Sequence, residues 1–107
     1  MDRDEGFRAL ASPARRRVLA LVRDAPRSVT ELAGELGVSQ PAVSQHLAAL
    51  RDAELVTVEV DGRRRIYRPD LEALGELRSF FDDYWNGALG RLDDAAVQQA
   101  AHRKVAS

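Results

Sequence analysis

The sequence predicts a mainly α-helical fold of about five helices with one small β-hairpin. Three observations lead to this prediction. Apolar residues recur at helical spacing in the segments before residue 54, and helical spacing returns after Pro69. Between these segments Val56, Val58 and Val60 alternate with polar residues, which is the period of a half-buried strand. A domain of 107 residues buries a modest core, so we expect it to associate with a second copy.

Two short amphipathic helices are predicted at the start of the chain. The first spans about residues 4–11 and places Phe7 on its apolar side. Ser12 and Pro13 have the order of an N-cap and a first helical residue, so we expect a second helix that continues to Ala25. Its first turn carries three consecutive arginines, Arg15, Arg16 and Arg17. Positive charge is unfavourable there, so either a phosphate lies near them or they form a solvated face.

The third and fourth predicted helices are separated by a very short turn. Ser28 and Glu31 have the spacing of a capping box at the start of the third helix, which ends at Gly37. Ser39 caps the fourth helix, which extends to about Ala53. Two helices joined by a tight glycine turn predict a helix-turn-helix.

The fourth helix has an apolar side and a small polar side. The apolar side consists of three aliphatic residues: Val43, Leu47 and Leu50. The opposite side consists of small or polar residues: Pro41, Ser44, Gln45 and Ala48. This side carries no carboxylate or bulky aliphatic group, so it can approach a duplex and offer hydroxyl and amide groups to base edges. For an isolated helix, a solvated face explains the same pattern better.

The hairpin that follows is basic. Asp61-Gly62 is a strong turn signal between its two strands, and four of the six residues 63–68 are arginines. The tip, from Asp61 to Arg65, is expected to project from the domain as a charged loop. A hairpin that follows a helix-turn-helix is a wing, so the sequence predicts a winged helix-turn-helix.

A long fifth helix is predicted after Pro69-Asp70, with an apolar stripe that contains the only tryptophan. Because the domain already has a core, we expect the stripe to contact a second copy of the chain. Packing onto the first helix of the same chain is the alternative, and the two are compatible. The residues expected at the dimer contact are Phe7, Leu74, Leu77, Phe81, Tyr84, Trp85 and Leu92.

Residues 1–92 are expected to form one domain. Residues 93–107, which are rich in alanine and glutamine, are expected to be either a terminal helix or a flexible tail.

The composition excludes several classes of function. Without cysteine the chain has no disulfide, thiolate metal site or cysteine nucleophile. It has one lysine, two histidines in different elements and no glycine-rich phosphate loop, so we predict that it is not an enzyme. No apolar run approaches the roughly 20 residues of a bilayer helix, and the N-terminus is too polar for a signal peptide. We therefore expect a cytoplasmic protein with no membrane partner.

The net charge of −1 conceals an uneven distribution. Residues 1–69 carry 12 arginines against 10 acidic residues, whereas residues 70–107 carry 4 basic and 7 acidic residues. Local fields matter more than the total charge, so a polyanionic partner is compatible with this sequence.

Several segments have a characteristic order and spacing. They are Ser28–Ala33, Gly37–Leu47, Leu50, Leu55-Val56, Asp61–Arg64 and Tyr67. This set, over about residues 5–92, strongly resembles the ArsR/SmtB family. Members of that family are dimeric bacterial winged-helix transcription factors, and most are repressors that leave their operator when an inducer binds.

The resemblance implies a homodimeric repressor that binds a double-stranded DNA operator with an inverted repeat and is associated with the bacterial nucleoid when bound. It implies that Gln40, Pro41, Ser44 and Gln45 enter the major groove, and that Arg63, Arg64 and Arg65 lie near phosphates or the minor groove. Ser39 and His46 complete the predicted DNA-binding set, although packing against the core is the first interpretation of His46. The alternative is a winged-helix protein-interaction module that does not bind DNA.

The chain departs from the usual family pattern at three places. One is the aromatic group Phe80, Phe81, Tyr84 and Trp85, which resembles a branch of the family without recognised metal ligands. The family's metal sensors use a cysteine pair on the third helix, or histidine and carboxylate ligands on the last long helix. Here the third helix offers Val29 and Glu31, and the last helix offers carboxylates without histidine. We therefore predict no metal and no cofactor. The chain is expected to be either a sensor of an unidentified small-molecule inducer or a constitutive repressor. Glu54 stands where the family usually has glycine, so the connection either avoids a positive φ or accepts strain.

Overall fold

The structure, a computed structural model, describes residues 2–91. Its elements in chain order are α1 (Arg3–Leu10), α2 (Pro13–Asp24), α3 (Val29–Leu36), α4 (Gln40–Asp52), β1 (Val56–Asp61), β2 (Arg64–Pro69) and α5 (Leu71–Arg91). This order confirms the predicted mainly α-helical fold with one hairpin. Leu92 and the predicted tail, residues 93–107, lie outside the described residues.

The first four helices begin at polar side chains that precede them in the sequence. The N-cap residues are Asp2, Ser12, Ser28 and Ser39. Each side chain accepts a hydrogen bond from a backbone N–H of the first turn, at 2.9–3.3 Å. The first helix begins one residue earlier than predicted because Asp2 provides its cap, and Ala11 lies just beyond its end.

Residues up to Leu77 form one compact unit with a single hydrophobic core. Its largest fully buried side chains are Val18, Val22, Leu32, Val43, Leu47, Leu50 and Leu55. The three from α4 are those predicted for its inward side. Packing of this kind fixes the rotation of α4 about its own axis.

The hairpin is attached to the helices at its base. β1 and β2 pair antiparallel, with Val56 opposite Pro69 and Asp61 opposite Arg64. The backbone N–H of Tyr67 donates to the carbonyl of Arg27 at 2.8 Å, and the N–H of Arg27 donates back at 3.3 Å. Tyr67 is buried, whereas residues 59–65 are exposed. The base is therefore fixed and the tip projects.

The hairpin turn lies one residue later than the sequence pattern indicated. Asp61 is the last residue of β1, and the two-residue loop is Gly62-Arg63. Gly62 takes a φ of 62°, which suits the first central position of such a turn. Arg63 therefore stands at the tip itself.

Glu54 resolves the question about the connection between α4 and β1. Its φ is 63°, in the left-handed region that favours glycine. The N–H of Glu54 donates to the carbonyl of Arg51, and the N–H of Leu55 donates to the carbonyl of Leu50, both at 2.9 Å. This is a Schellman motif with glutamate in the position usually taken by glycine. The connection accepts the strain.

A second compact unit begins at Arg78 and is described as far as Arg91. α5 starts in the first unit, where Ala73 and Leu77 are buried, and continues into the second. Within residues 2–91, no helix is both long and apolar enough to cross a membrane.

Candidate nucleic-acid interface

Over residues 40–48 the exposed side of α4 is small or polar and carries no carboxylate, and Asp52 is the last residue of the helix on that side. Because Val43, Leu47 and Leu50 are almost completely buried, the opposite side of the helix is held outward. That side consists of Pro41, Ser44, Gln45 and Ala48, all of which are exposed, and Gln40 is exposed at the first residue of the helix. Amide and hydroxyl groups on a rigid helix can make hydrogen bonds to base edges, since their rotation toward a partner is already fixed.

Two further residues of the predicted DNA-binding set flank this surface. Ser39 Oγ accepts a hydrogen bond from the N–H of Ala42 at 3.2 Å and so begins α4. Its hydroxyl proton is still available for an outside acceptor. His46 is half-buried, which agrees with the interpretation that it packs against the core.

The wing carries the other predicted contacts. Arg63, Arg64 and Arg65 are all exposed. Arg64 forms an ion pair with Glu31 of α3, a contact that the sequence pattern did not reveal. Arg68 pairs with Glu59 on the neighbouring strand at 3.3 Å. In the part of the chain that the structure describes, neither Arg63 nor Arg65 forms an ion pair, so both guanidinium groups are available to phosphate oxygens.

The wing and the start of α3 border a groove of about 510 Å³. The residues that line it are Ser28, Val29, Thr30, Glu31, Arg63, Arg64 and Arg65. The groove brings the acidic start of α3 and the basic tip of the wing to one place on the surface.

Two arginines in the first turn of α2 cap the C-terminal end of α1. Arg16 Nη1 donates to the carbonyl of Leu10 at 2.7 Å, and Arg15 Nη1 donates to the carbonyl of Ala9 at 3.4 Å. These carbonyls lie at the C-terminal end of α1, where cations are favourable. Neither predicted role, phosphate contact or solvated face, anticipates this capping. The signal in the sequence was a pair of arginines, each six residues after a residue in the last turn of a predicted helix.

The residues predicted at a dimer contact lie in different environments. Phe7 and Leu74 are partly buried against the core of the first unit, and Leu77, at 4% exposure, is packed within its own chain. In the second unit Phe81, Tyr84 and Trp85 are 58%, 71% and 60% exposed. The neighbouring ring of Phe80 meets Phe81 edge to face, with 5.4 Å between centroids.

Over residues 2–91, no group of three or more histidine or acidic side chains lies close enough together to hold a metal ion.

Comparisons with known proteins agree with this geometry. A model of the arsR family of bacterial regulatory proteins matches residues 12–58, from the cap of α2 into β1. The regulator Rv2034 of Mycobacterium tuberculosis, named an HTH-type transcriptional regulator, is 43% identical over 86 residues, which are 80% of this chain and 80% of that protein.

Two other proteins are also similar, one over a shorter segment and one at lower sequence identity. SmtB of Mycobacterium tuberculosis, named an HTH-type transcriptional repressor, is 47% identical over 64 residues. That match covers 60% of this chain and 47% of SmtB. The solution structure of Mb0332 from Mycobacterium bovis, described as a homodimeric winged helix-turn-helix DNA-binding domain, superimposes with a TM-score of 0.62. It is 27% identical and covers 84% of this chain and 81% of that one.

Proposed function

The chain belongs to the arsR family of bacterial regulatory proteins, and from this membership we propose that it is a dimeric transcriptional repressor that binds an inverted-repeat DNA operator. The observation that carries the proposal is the exposed side of α4. Over residues 40–48 it offers amide and hydroxyl groups and no carboxylate, on a helix whose rotation is fixed by three buried aliphatic residues.

In the proposed mechanism, different residues determine the affinity for DNA and the specificity for its sequence. In a symmetric dimer, the two copies of α4 enter successive major grooves about one helical turn apart. Gln40, Ser44 and Gln45 read base edges there, while the arginines of the wing contact flanking phosphates. Phosphate contacts release counterions, so the affinity falls steeply with salt, whereas discrimination between sequences depends on α4.

The dimer is proposed to form through the exposed aromatic residues of α5. Phe81, Tyr84 and Trp85 together offer an apolar area that is unusual on the surface of a monomer. The homodimeric state of the Mb0332 domain supports this assignment. Repression is supported by the name of SmtB, and a repressor of this kind acts on the bacterial nucleoid, in the cytoplasm.

We propose that this repressor does not sense metal through thiolate ligands. The chain contains no cysteine, and the segment that forms α5 contains no histidine. Carboxylates alone favour hard cations and hold them weakly when solvated. An inducer is therefore expected to be a small molecule other than a transition metal ion.

The test is fluorescence anisotropy with the DNA upstream of the chain's own gene and a scrambled duplex, at two salt concentrations. We expect tight, salt-sensitive binding that prefers the upstream DNA and is lost in a variant with Arg63, Arg64 and Arg65 all changed to Ala. If neither duplex binds, selection from a random-sequence DNA pool follows. Failure to recover any bound sequence would overturn the proposal in favour of a protein-interaction module.

A further inference from the structure

The wing is joined to α3 by an ion pair on the protein surface. Arg64 Nη2 donates to Glu31 Oε1, although the two residues are 33 positions apart in the sequence. Their side chains are 59% and 43% exposed. The pair therefore links two elements at a place that a phosphate group can reach.

Glu31 is held in position by its own helix. Ser28 Oγ donates to Glu31 Oε1 at 3.1 Å and accepts a hydrogen bond from the N–H of Glu31 at 3.3 Å. The carboxylate also lies in the first turn of α3, where the helix dipole favours negative charge. It therefore keeps its place whether or not Arg64 contacts it.

The ion pair makes the arginines of the wing unequal. Arg64 is already paired with a carboxylate, and Arg63 and Arg65 form no ion pair within the described residues. Phosphate oxygens and carboxylate oxygens accept the same guanidinium donors, and like charges close together repel. A phosphate at Arg64 must therefore displace Glu31 or approach against its charge.

We infer that Glu31 is a positioning residue that competes with DNA phosphate for Arg64. In the free protein its carboxylate holds the wing against α3, and DNA engages Arg63 and Arg65 before Arg64. Glu31 thereby lowers affinity for DNA of any sequence without changing the residues of α4 that read bases. This inference rests on the proposed DNA-binding function.

The variant that tests it is Glu31→Gln. Glutamine is also a normal partner of serine in a capping box, so this change removes the charge and keeps the start of α3. The matched control is Glu35→Gln on the same helix, because Glu35 pairs with Arg27 and, within the described residues, forms no ion pair with an arginine of the wing. Both variants change the net charge equally, and thermal melting followed by circular dichroism checks that each is folded.

The measurement is binding to a random-sequence duplex over a range of salt concentrations. We expect the Glu31→Gln variant to bind the duplex more tightly than the wild type, by about two- to fivefold for each subunit that contacts the DNA. The plot of log affinity against log salt concentration should steepen by about 0.9 for each added phosphate contact. Glu35→Gln should produce neither the gain nor the steeper slope.

Two further comparisons make the result decisive. The gain should vanish when Arg64→Ala is already present, and Arg64→Ala alone should weaken binding less than Arg63→Ala. The comparison of Arg64→Ala with Arg63→Ala changes no residue of α3, so its result does not depend on how that helix begins. Equal behaviour of the Glu31→Gln and Glu35→Gln variants, or a gain that persists without Arg64, would overturn the inference. A wild-type protein that binds no DNA at low salt would instead overturn the proposed function.

Discussion

Glu54 shows how a single residue can be forced into an unfavourable backbone conformation by its neighbours. Leu50 on one side and Leu55 on the other are fully buried, and only a sharp reversal between them allows both to reach the core. The Schellman hydrogen bonds make that reversal. An L-amino acid in the left-handed region costs about 1–2 kcal/mol relative to its usual conformation.

We therefore expect Glu54→Gly to raise the free energy of unfolding by about 1 kcal/mol, because glycine adopts this φ without a steric penalty. Urea denaturation of the two proteins measures the change. Glu54→Ala is the control, since it removes the same side chain but keeps the Cβ atom. A gain of equal size in both variants would show that the backbone conformation is not the cause.

Gln45 provides the residue-scale prediction for base recognition. Gln45→Ala should lower the preference for operator over random DNA by about 1–3 kcal/mol per half-site, because one amide that pairs with a base edge is lost. The affinity of the Gln45→Ala variant should depend on salt concentration in the same way as that of the wild type. Arg63→Ala should do the reverse, weakening binding to every sequence and flattening the salt dependence. Anisotropy titrations with both duplexes separate the two effects. An unchanged preference in Gln45→Ala would mean that the exposed side of α4 is not the reading surface.

At the scale of elements, the end of α1 depends on the beginning of α2. The carbonyls of Ala9 and Leu10 accept hydrogen bonds from Arg15 and Arg16. Side chains in the first turn of α2 therefore cap the C-terminal end of α1. Carbonyl groups at a helix end need such partners, because the helix itself offers none.

We expect Arg16→Ala to destabilise the protein by about 0.5–1.5 kcal/mol through the loss of this charged donor. Arg17→Ala, the next residue along α2, should change stability by less than about 0.5 kcal/mol because the Arg17 side chain is exposed, and the hydrogen bonds to the end of α1 in the described residues come from Arg15 and Arg16. Thermal unfolding of the two variants measures the difference. Equal effects would show that charge at this end of α2, and not capping, determines the stability.

Elements set by local signals could be predicted from the sequence. The caps at Ser12, Ser28 and Ser39 and the alternation in β1 depend on residues a few positions apart, so α2, α3, α4 and the two strands form where expected. The alternation is wrong at Val60, which is 73% exposed because the strand leaves the core toward the tip of the hairpin. The inward side of α4 was predictable for the same reason.

Contacts between distant segments could not be predicted. The bridge from Arg27 to Tyr67 and the ion pair from Glu31 to Arg64 depend on how the hairpin lies against α3, which no local pattern encodes. Leu77 has the same helical spacing as its apolar neighbours in the predicted stripe, yet it is buried within its own chain. Periodicity shows which residues share a side of a helix and leaves open what covers them.

At the scale of the whole molecule, self-association is the property on which the proposed function depends. A dimer doubles the number of contacts to an inverted repeat, so loss of the dimer weakens operator binding even when each subunit is intact. The exposed aromatic side chains of α5 are the surface that we propose for it.

We expect Trp85→Ala to weaken dimerisation by about 2 kcal/mol or more, as is usual for a buried interface tryptophan. Sedimentation over a range of concentrations measures the change. Leu71→Ala is the control, because Leu71 is an apolar residue of the same helix, 72% exposed and outside the predicted contact. In the wild type, dilution should move the emission of Trp85, the only tryptophan, toward the red as the ring enters water. Emission that does not change with concentration would place the dimer contact elsewhere.

The backbone bridge between Arg27 and Tyr67 affects how the hairpin can move. An isolated two-stranded hairpin is marginally stable in water, but here one end is bonded to the segment before α3 and shielded from solvent. Opening that end would require the helical core to unfold with it, so its amide protons should exchange about as slowly as those of the core. Toward Gly62 we expect larger bending once the ion pair between Arg64 and Glu31 opens, so that the arginines there can adjust to differences in the width of a DNA groove while α4 keeps a constant orientation.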